Sequence, residues 1–278
     1  MITTFSTEAI LTALLLTFLA GISTGLGSLV ALIPRASGNK FIAGALGLSA
    51  GVMLYVSFLD LIPMALESIA ETEPGRTGNI WVTLAFFGGI ALIALIDFFI
   101  PDAENPHELH QINALAEMER DHAAHPRKRQ HMKRMGIMLA LTIGIHNFPE
   151  GMATFIAALD SPDVAIPIVI AIAIHNIPEG ISVSIPVYEA TGSHKKAIWF
   201  SVLSGLAEPA GAIIGFLFLL PLWTPMVNSL LLAAVAGVMV YISIDELLPS
   251  AERYGHHHIA IAGVIAGMAV MAASLLVL

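Results

Sequence analysis

The chain of 278 residues is 56% hydrophobic and 12% charged, with a net charge of −9 and a mean hydropathy of +0.82. A soluble domain carries roughly 25% charged residues, so the composition excludes an ordinary soluble protein and predicts one polytopic membrane domain over 1–278. The absence of cysteine excludes disulfides, thiolate zinc sites and iron–sulfur clusters, and no basic face with interleaved aromatics points to nucleic acid.

In chain order, the first apolar stretch covers 8–32. It is entered without a basic n-region or a small-residue cleavage site, so it reads as a retained span rather than a signal peptide. The second, 41–69, carries Met53, Asp60 and Pro63. The third, 80–100, leads into a polar loop at 101–135 that contains His107, His110, His122, His125 and His131. The fourth and fifth, 136–158 and 164–188, each hold one copy of a polar word: His-Asn-Phe-Pro-Glu-Gly at 146–151 and His-Asn-Ile-Pro-Glu-Gly at 175–180. The sixth, 196–220, carries Glu208 and Pro209; the seventh, 226–250, carries Asp245, Glu246 and Pro249. His256, His257 and His258 lie in the last loop and overlap the start of the eighth, 257–277. Each stretch has about the 20 residues a spanning helix needs. The fold class is therefore an all-α integral membrane protein of eight transmembrane helices.

Eleven of the twelve basic residues fall on alternate loops, after the first, third, fifth and seventh spans; only Arg76 falls on the other side. The positive-inside rule makes those four loops cytoplasmic, including the His-rich loop 101–135, and places both termini outside. An internal repeat fits this count. Residues 50–65 match residues 236–251 at nine of sixteen positions with an offset of 186, pairing Tyr55 with Tyr241, Ser57 with Ser243, Asp60 with Glu246 and Pro63 with Pro249. The second span runs outward and the seventh inward, so the repeat is inverted. Spans 1–3 then mirror spans 6–8 about the central pair, a 3+2+3 plan of the kind secondary transporters use.

An ionisable side chain inside a membrane span is costly and is by default a functional hypothesis. His146 and Glu150 share a helix face, with Asn147 about 100° from His146; His175, Asn176 and Glu179 repeat the set. Pro149 and Pro178 leave the carbonyls of Ile145 and Ile174 without helical donors, and Gly151 and Gly180 permit close approach of a neighbouring helix. With Glu208, three carboxylates, two imidazoles and two amides form a mixed nitrogen and oxygen set, suited to zinc, ferrous iron, manganese or cobalt better than to calcium or magnesium. Asp60 and the pair Asp245 and Glu246 read either as acidic way-stations at the two ends of the path or as helix-packing acids. The histidine tracts at 107–131 and 256–258 read either as loose metal-holding segments or as solvated polar loops.

The doubled His-Asn-x-Pro-Glu-Gly word, the eight spans, the external termini and the His-bearing loop resemble the ZIP (Zrt-, Irt-like) metal-ion transporters, and most of all their bacterial zinc-uptake subgroup. The resemblance covers essentially the whole chain. It implies a binuclear site in which His146, Glu150 and Glu179 hold one ion with His175 nearby. Asn147, Asn176 and Glu208 hold the second, sharing Glu150 and Glu179, and Met53 is the candidate ligand from the second span. Asn176 stands where some family members carry Asp, which removes one negative charge from the second site.

The expected function is secondary transport of divalent transition metals into the cytoplasm, zinc first and then iron, manganese, cobalt and cadmium. The ions are substrate, with no catalytic cofactor, and the expected partners are the ions, the bilayer and, as an allowed assembly, a second copy in a homodimer. The expected location is a bacterial inner membrane. Protons compete with metal for the carboxylates and imidazoles, so uptake is expected to depend on pH. No nucleotide-binding loop is present, and carrier and channel both remain open from sequence. The alternative is an intramembrane metalloenzyme. A zinc protease calls for His-Glu-x-x-His and a di-iron carboxylate protein for Glu-x-x-His; the order here is His-x-x-x-Glu, which speaks against an enzyme.

Overall fold

The computed structural model describes residues 5–32, 38–98, 162–219 and 224–277, together with 140, 143–145, 147–152, 154–156 and 158–159. The His-rich loop 101–135 and His146 lie outside the described residues, and His175 is described as a helical position only. Among the described residues every regular element is helical.

The chain opens with α1, Thr7–Gly27, capped by Ser6, whose side chain accepts from the Ala9 N–H. The second span is α2, Asn39–Val56, continued through a wide turn at Ser57–Leu61 into α3, Ile62–Ala70. Then follow α4, Arg76–Phe98; the described residues of 143–159, which are helical; and α5, Pro162–Thr191, which runs unbroken through Pro178. The sixth span is α6, His194–Gly205, and α7, Ala207–Ile214, separated by a break at Leu206. The seventh is α8, Pro225–Tyr241, a wide turn at Ile242–Leu247 and α9, Leu248–Glu252; the last is α10, His257–Val277. Six of these helical runs are long and apolar enough to cross a membrane: Thr7–Val30, Asn39–Ala70, Arg76–Ile96, His194–Phe218, Pro225–Glu252 and His257–Val277. Glycines with positive φ close the tight turns after α5 (Gly192, φ 64°) and α9 (Gly255, φ 75°), where a side chain would be strained.

The wide turns are a feature that helical periodicity did not predict, and their cause lies in the repeat. In the first copy the Ile62 N–H reaches back five residues to the Ser57 carbonyl; in the second the Leu248 N–H reaches the Ser243 carbonyl. Each turn is followed by Pro63 or Pro249 in the first turn of the next helix. A proline lacks the donor for the carbonyl four residues back and clashes with it, so the helix widens by one residue just upstream. The serine side chains match as well: Ser57 Oγ donates to the Met53 carbonyl and Ser243 Oγ to the Met239 carbonyl, both at 2.7 Å. Residues 186 apart in sequence therefore make the same local structure.

Packing repeats the correspondence. α2 lies against α10, and α8 lies against α4. A Cβ on Gly51 would land on the Val264 carbonyl of α10, and one on its counterpart Gly237 would land on the Phe86 carbonyl of α4. Backbones this close gain dispersion and carbonyl contact that a larger residue forbids, which is how helices associate where lipid offers no hydrophobic drive. α2–α3, α4, α8–α9 and α10 form one group in this way. α1, α5 and α6–α7 form another, joined at Gly21 against the Gly205 carbonyl and Gly180 against the Thr24 carbonyl. The groups meet mainly where α2 faces α5, with α10 also touching α5.

The seventh span starts on a firm cap: Thr224 Oγ1 accepts from the Val227 N–H at 3.1 Å with Pro225 in the first turn. Thr224→Ala is expected to lower stability by about 1 kcal/mol, read as a lower melting temperature in detergent with metal flux unchanged.

Candidate metal centre

The expected ligands are buried. Asn147, Asn176, Glu179 and Glu208 are 0% exposed and Glu150 is 5% exposed. An ionised carboxylate in such a place is tolerated only when paired, hydrogen-bonded or coordinating a cation.

Glu208 sits where four helices converge. Pro209 leaves the Gly205 carbonyl without its helical donor, and that carbonyl packs onto Gly21 of α1. A Cβ on Gly21 would stand 3.3 Å from Glu208 Cβ, and one on Gly151 would land on the Glu208 carbonyl, so α1 and the 143–159 segment pack on either side of Glu208. The close approach expected at Gly151 is thus realised, and Gly211 of α7 repeats it against the Phe148 carbonyl. From α5, Asn176 completes the junction: its Nδ2 donates to Glu208 Oε1 at 2.5 Å and to the Ala20 carbonyl at 3.0 Å.

That amide is held by its two donated bonds with its carbonyl oxygen left over. Among the described residues Asn176 Oδ1 and Glu208 Oε2 are buried with no hydrogen-bond partner. Unpartnered buried oxygens are rare in native proteins and each calls for a partner, water or ion. The Glu150 and Glu179 carboxylates lie close enough to Glu208 to act on it electrostatically. Three acids in one low-dielectric junction repel one another, and a divalent cation relieves the repulsion.

The two words thus reach one junction through Glu150 on one side and Asn176 and Glu179 on the other, with Glu208 from the sixth span. Among the described residues no three histidine or acidic side chains form a complete metal cluster; His146 is outside those residues and the His175 side chain is not described. Met53 is 0% exposed and shares an apolar core with Ile143, Val183 and Met239.

Asp245 and Glu246 do not stand free at the end of the seventh span. Glu246 is nearly buried, and both acids act on the Arg253 guanidinium just beyond the span. Burial lowers the Arg253 pKa from its ordinary value, and Glu246, Tyr254 and Asp245 oppose that shift. Burial, aided by the charge of Glu189 at the end of α5, raises the Tyr254 pKa. The acids at this end therefore face a cation.

Sequence reasoning passed over the Ala20 carbonyl, which accepts from Asn176, and Thr24 one turn further on α1. A backbone carbonyl has no sequence signal, and a hydroxyl residue in an apolar stretch is common and unspecific.

Comparison with known proteins places the chain. The model of the family described as "ZIP Zinc transporter" matches residues 7–275. The chain belongs to the ZIP family. It is 54% identical over 269 residues to "Zinc transporter ZupT" of Streptococcus mutans, covering 97% of this chain and 98% of that protein. It is 54% identical over 266 residues to the protein of the same name from Chlorobium phaeovibrioides, covering 96% and 97%. With the Clostridium perfringens protein of that name it shares 51% identity over 274 residues, 96% of each chain. The ZIP family is one of transporters rather than enzymes, which agrees with the mismatched protease and di-iron spacings. Membership also covers both polar words, since each falls within the matched residues.

Proposed function

We propose that the protein is a secondary transporter that carries zinc, and with lower preference other divalent transition metals, across the membrane into the cytoplasm. The observation that carries this reading is the Asn176–Glu208 pair, fully buried and flanked by Glu150 and Glu179, with two oxygens left over for a cation. Relatives named as zinc transporters at 51–54% identity over nearly the whole chain support zinc as the first metal.

The six membrane-capable helices, together with the 30-residue α5 and the helical residues of 143–159, support the eight-span plan with spans 1–3 mirrored in spans 6–8. The alternate-loop basic residues support external termini, and a bacterial inner membrane is the proposed location. A homodimer is part of the proposal only as an assembly the fold allows.

The two groups of glycine-packed helices favour a carrier over a channel. Each is close-packed within itself, and close-packed units move as bodies rather than deform. Alternating access follows when the group holding Asn176 and Glu208 moves against the group built on α2 and α8. An entering ion exchanges water for His146, Glu150 and Glu179, while Asn147, Asn176 and Glu208 hold a second ion. His175 stands beside the first, and Met53 offers a thioether from the facing group.

The test is metal flux into proteoliposomes loaded with a fluorescent chelator, comparing zinc, iron, manganese, cobalt and cadmium. Saturable zinc uptake, lost in Glu179→Ala, is expected; full zinc uptake in a correctly inserted Glu179→Ala protein overturns the site. His122→Ala with His125→Ala is expected to change the rate only modestly, because a loop tract holds metal loosely.

A further inference from the structure

Most buried hydroxyls in these spans satisfy themselves on the preceding turn. Thr17 donates to the Ala13 carbonyl, Thr154 to Glu150, Ser182 to Glu179, Ser57 to Met53 and Ser243 to Met239. This is the ordinary way a serine or threonine lives inside an apolar helix. Thr24 of α1 and Ser204 of α6 depart from it. They are 0% and 3% exposed, and neither hydroxyl oxygen has a hydrogen-bond partner among the described residues.

For Thr24 the cause is visible. The carbonyl four residues back is Ala20, and it already accepts from Ser23 Oγ at 2.5 Å and from Asn176 Nδ2 at 3.0 Å. The Thr24 carbonyl itself accepts from Ser201 Oγ at 2.8 Å. Thr24 lies at the crossing of α1 with α6, and Ser204 directly precedes the Gly205 that packs there. A Cβ on Gly205, the residue after Ser204, would stand 2.9 Å from Thr24 Cβ, and a Cβ on Gly21 would stand 3.3 Å from Glu208 Cβ. Ser204 lies four residues before Glu208, across the break at Leu206. Among the described residues, four buried oxygens without partners thus belong to residues at this crossing or within about one helical turn of it: Thr24 Oγ1, Ser204 Oγ, Asn176 Oδ1 and Glu208 Oε2. Ser49 and Ser274 also lack partners, but they belong to the other helix group.

A buried hydroxyl with no partner is costly, and a water with two to four polar partners offsets that cost. The four oxygens are a carboxylate, an amide carbonyl and two hydroxyls, the donor types that take a hard or hydrated cation. We propose that Thr24 and Ser204 bind a water that remains on the transported divalent ion, extending the Asn176–Glu208 pair into an all-oxygen station that favours zinc over cadmium. The inference rests on the reading that Asn176 and Glu208 hold the ion. The larger, softer cadmium ion releases its water more readily and gains less from oxygen donors, so the hydroxyls act as specificity-determining residues.

The test uses Thr24→Val, which removes the hydroxyl at nearly constant shape, Ser204→Ala, their combination, and Thr24→Ser, which restores the hydroxyl. Zinc and cadmium flux into proteoliposomes is measured beside the melting temperature of each protein. Loss of groups that act through a bound ligand typically costs 10–100-fold, so the double variant is expected to lose about tenfold in zinc flux. Cadmium flux falls less and the cadmium-to-zinc ratio rises; melting temperature is unchanged or higher, because two unpartnered hydroxyls are gone. Thr24→Ser keeps the wild-type ratio. An unchanged ratio in the double variant, or a melting temperature that falls with both fluxes reduced equally, overturns the proposal. Glu179→Ala serves as the control: its loss of flux together with an unchanged ratio in the double variant overturns this inference alone, whereas retained flux in Glu179→Ala overturns the underlying site.

Discussion

Glu208→Gln is expected to abolish zinc transport while leaving the metal-free protein at least as stable as before. Gln keeps the shape of the side chain and an oxygen that can accept from Asn176 Nδ2, so the bond that joins α5 to the sixth span survives. It removes one of three mutually repelling carboxyl groups from a fully buried junction, and the repulsion is strongest where water is excluded. The same change removes a charged ligand from the proposed site. Flux is expected to fall by at least about tenfold, on the order of 1.4 kcal/mol in effective affinity. The rise in melting temperature that zinc gives a protein binding it in the folded state is expected to shrink with it. A Gln variant that transports normally would remove Glu208 from the site. One that loses transport because it melts far earlier would make Glu208 a structural residue.

A second large effect is expected at a residue without a side chain. A Cβ on Gly180 would overlap the Thr24 carbonyl and press on Ser201 Oγ, which itself bridges the Thr24 and Gly180 carbonyls. Gly180→Ala must therefore push α5 away from α1 and break that bridge. Overpacking of this kind costs roughly 1–3 kcal/mol, and the shift reaches Asn176 one turn away. Gly88→Ala is the matched control: Gly88 is exposed on α4 and an added Cβ meets nothing within 4 Å. A lower melting temperature and lost flux are expected for Gly180→Ala, with neither for Gly88→Ala. Equal behaviour of the two variants would refute the close packing of α1 on α5.

Much of this molecule is legible in the order of its residues. Apolar length announces membrane helices, because lipid cannot hydrogen-bond a bare backbone. The doubled word at 146–151 and 175–180 announces the proposed site, because carboxylates inside a bilayer need a counter-charge. The repeat of 50–65 in 236–251 announces two matched helices, and Pro63 and Pro249 contain the reason both widen, although periodicity alone reads straight through them. Other features depend on approach in space and have no local signature. Helix order along the chain does not say that α1, α5 and α6–α7 pack together while α2–α3, α4, α8–α9 and α10 form another group. That division is decided by which glycine meets which carbonyl across helices far apart in sequence. The state of Thr24 is of the same kind: the Ala20 carbonyl it would use is taken by Ser23 Oγ and by the amide of Asn176, 156 residues beyond Ala20. Residue type determined which groups must be satisfied; only the tertiary structure decided which of the described ones are satisfied by the protein itself and which are left for the proposed ion.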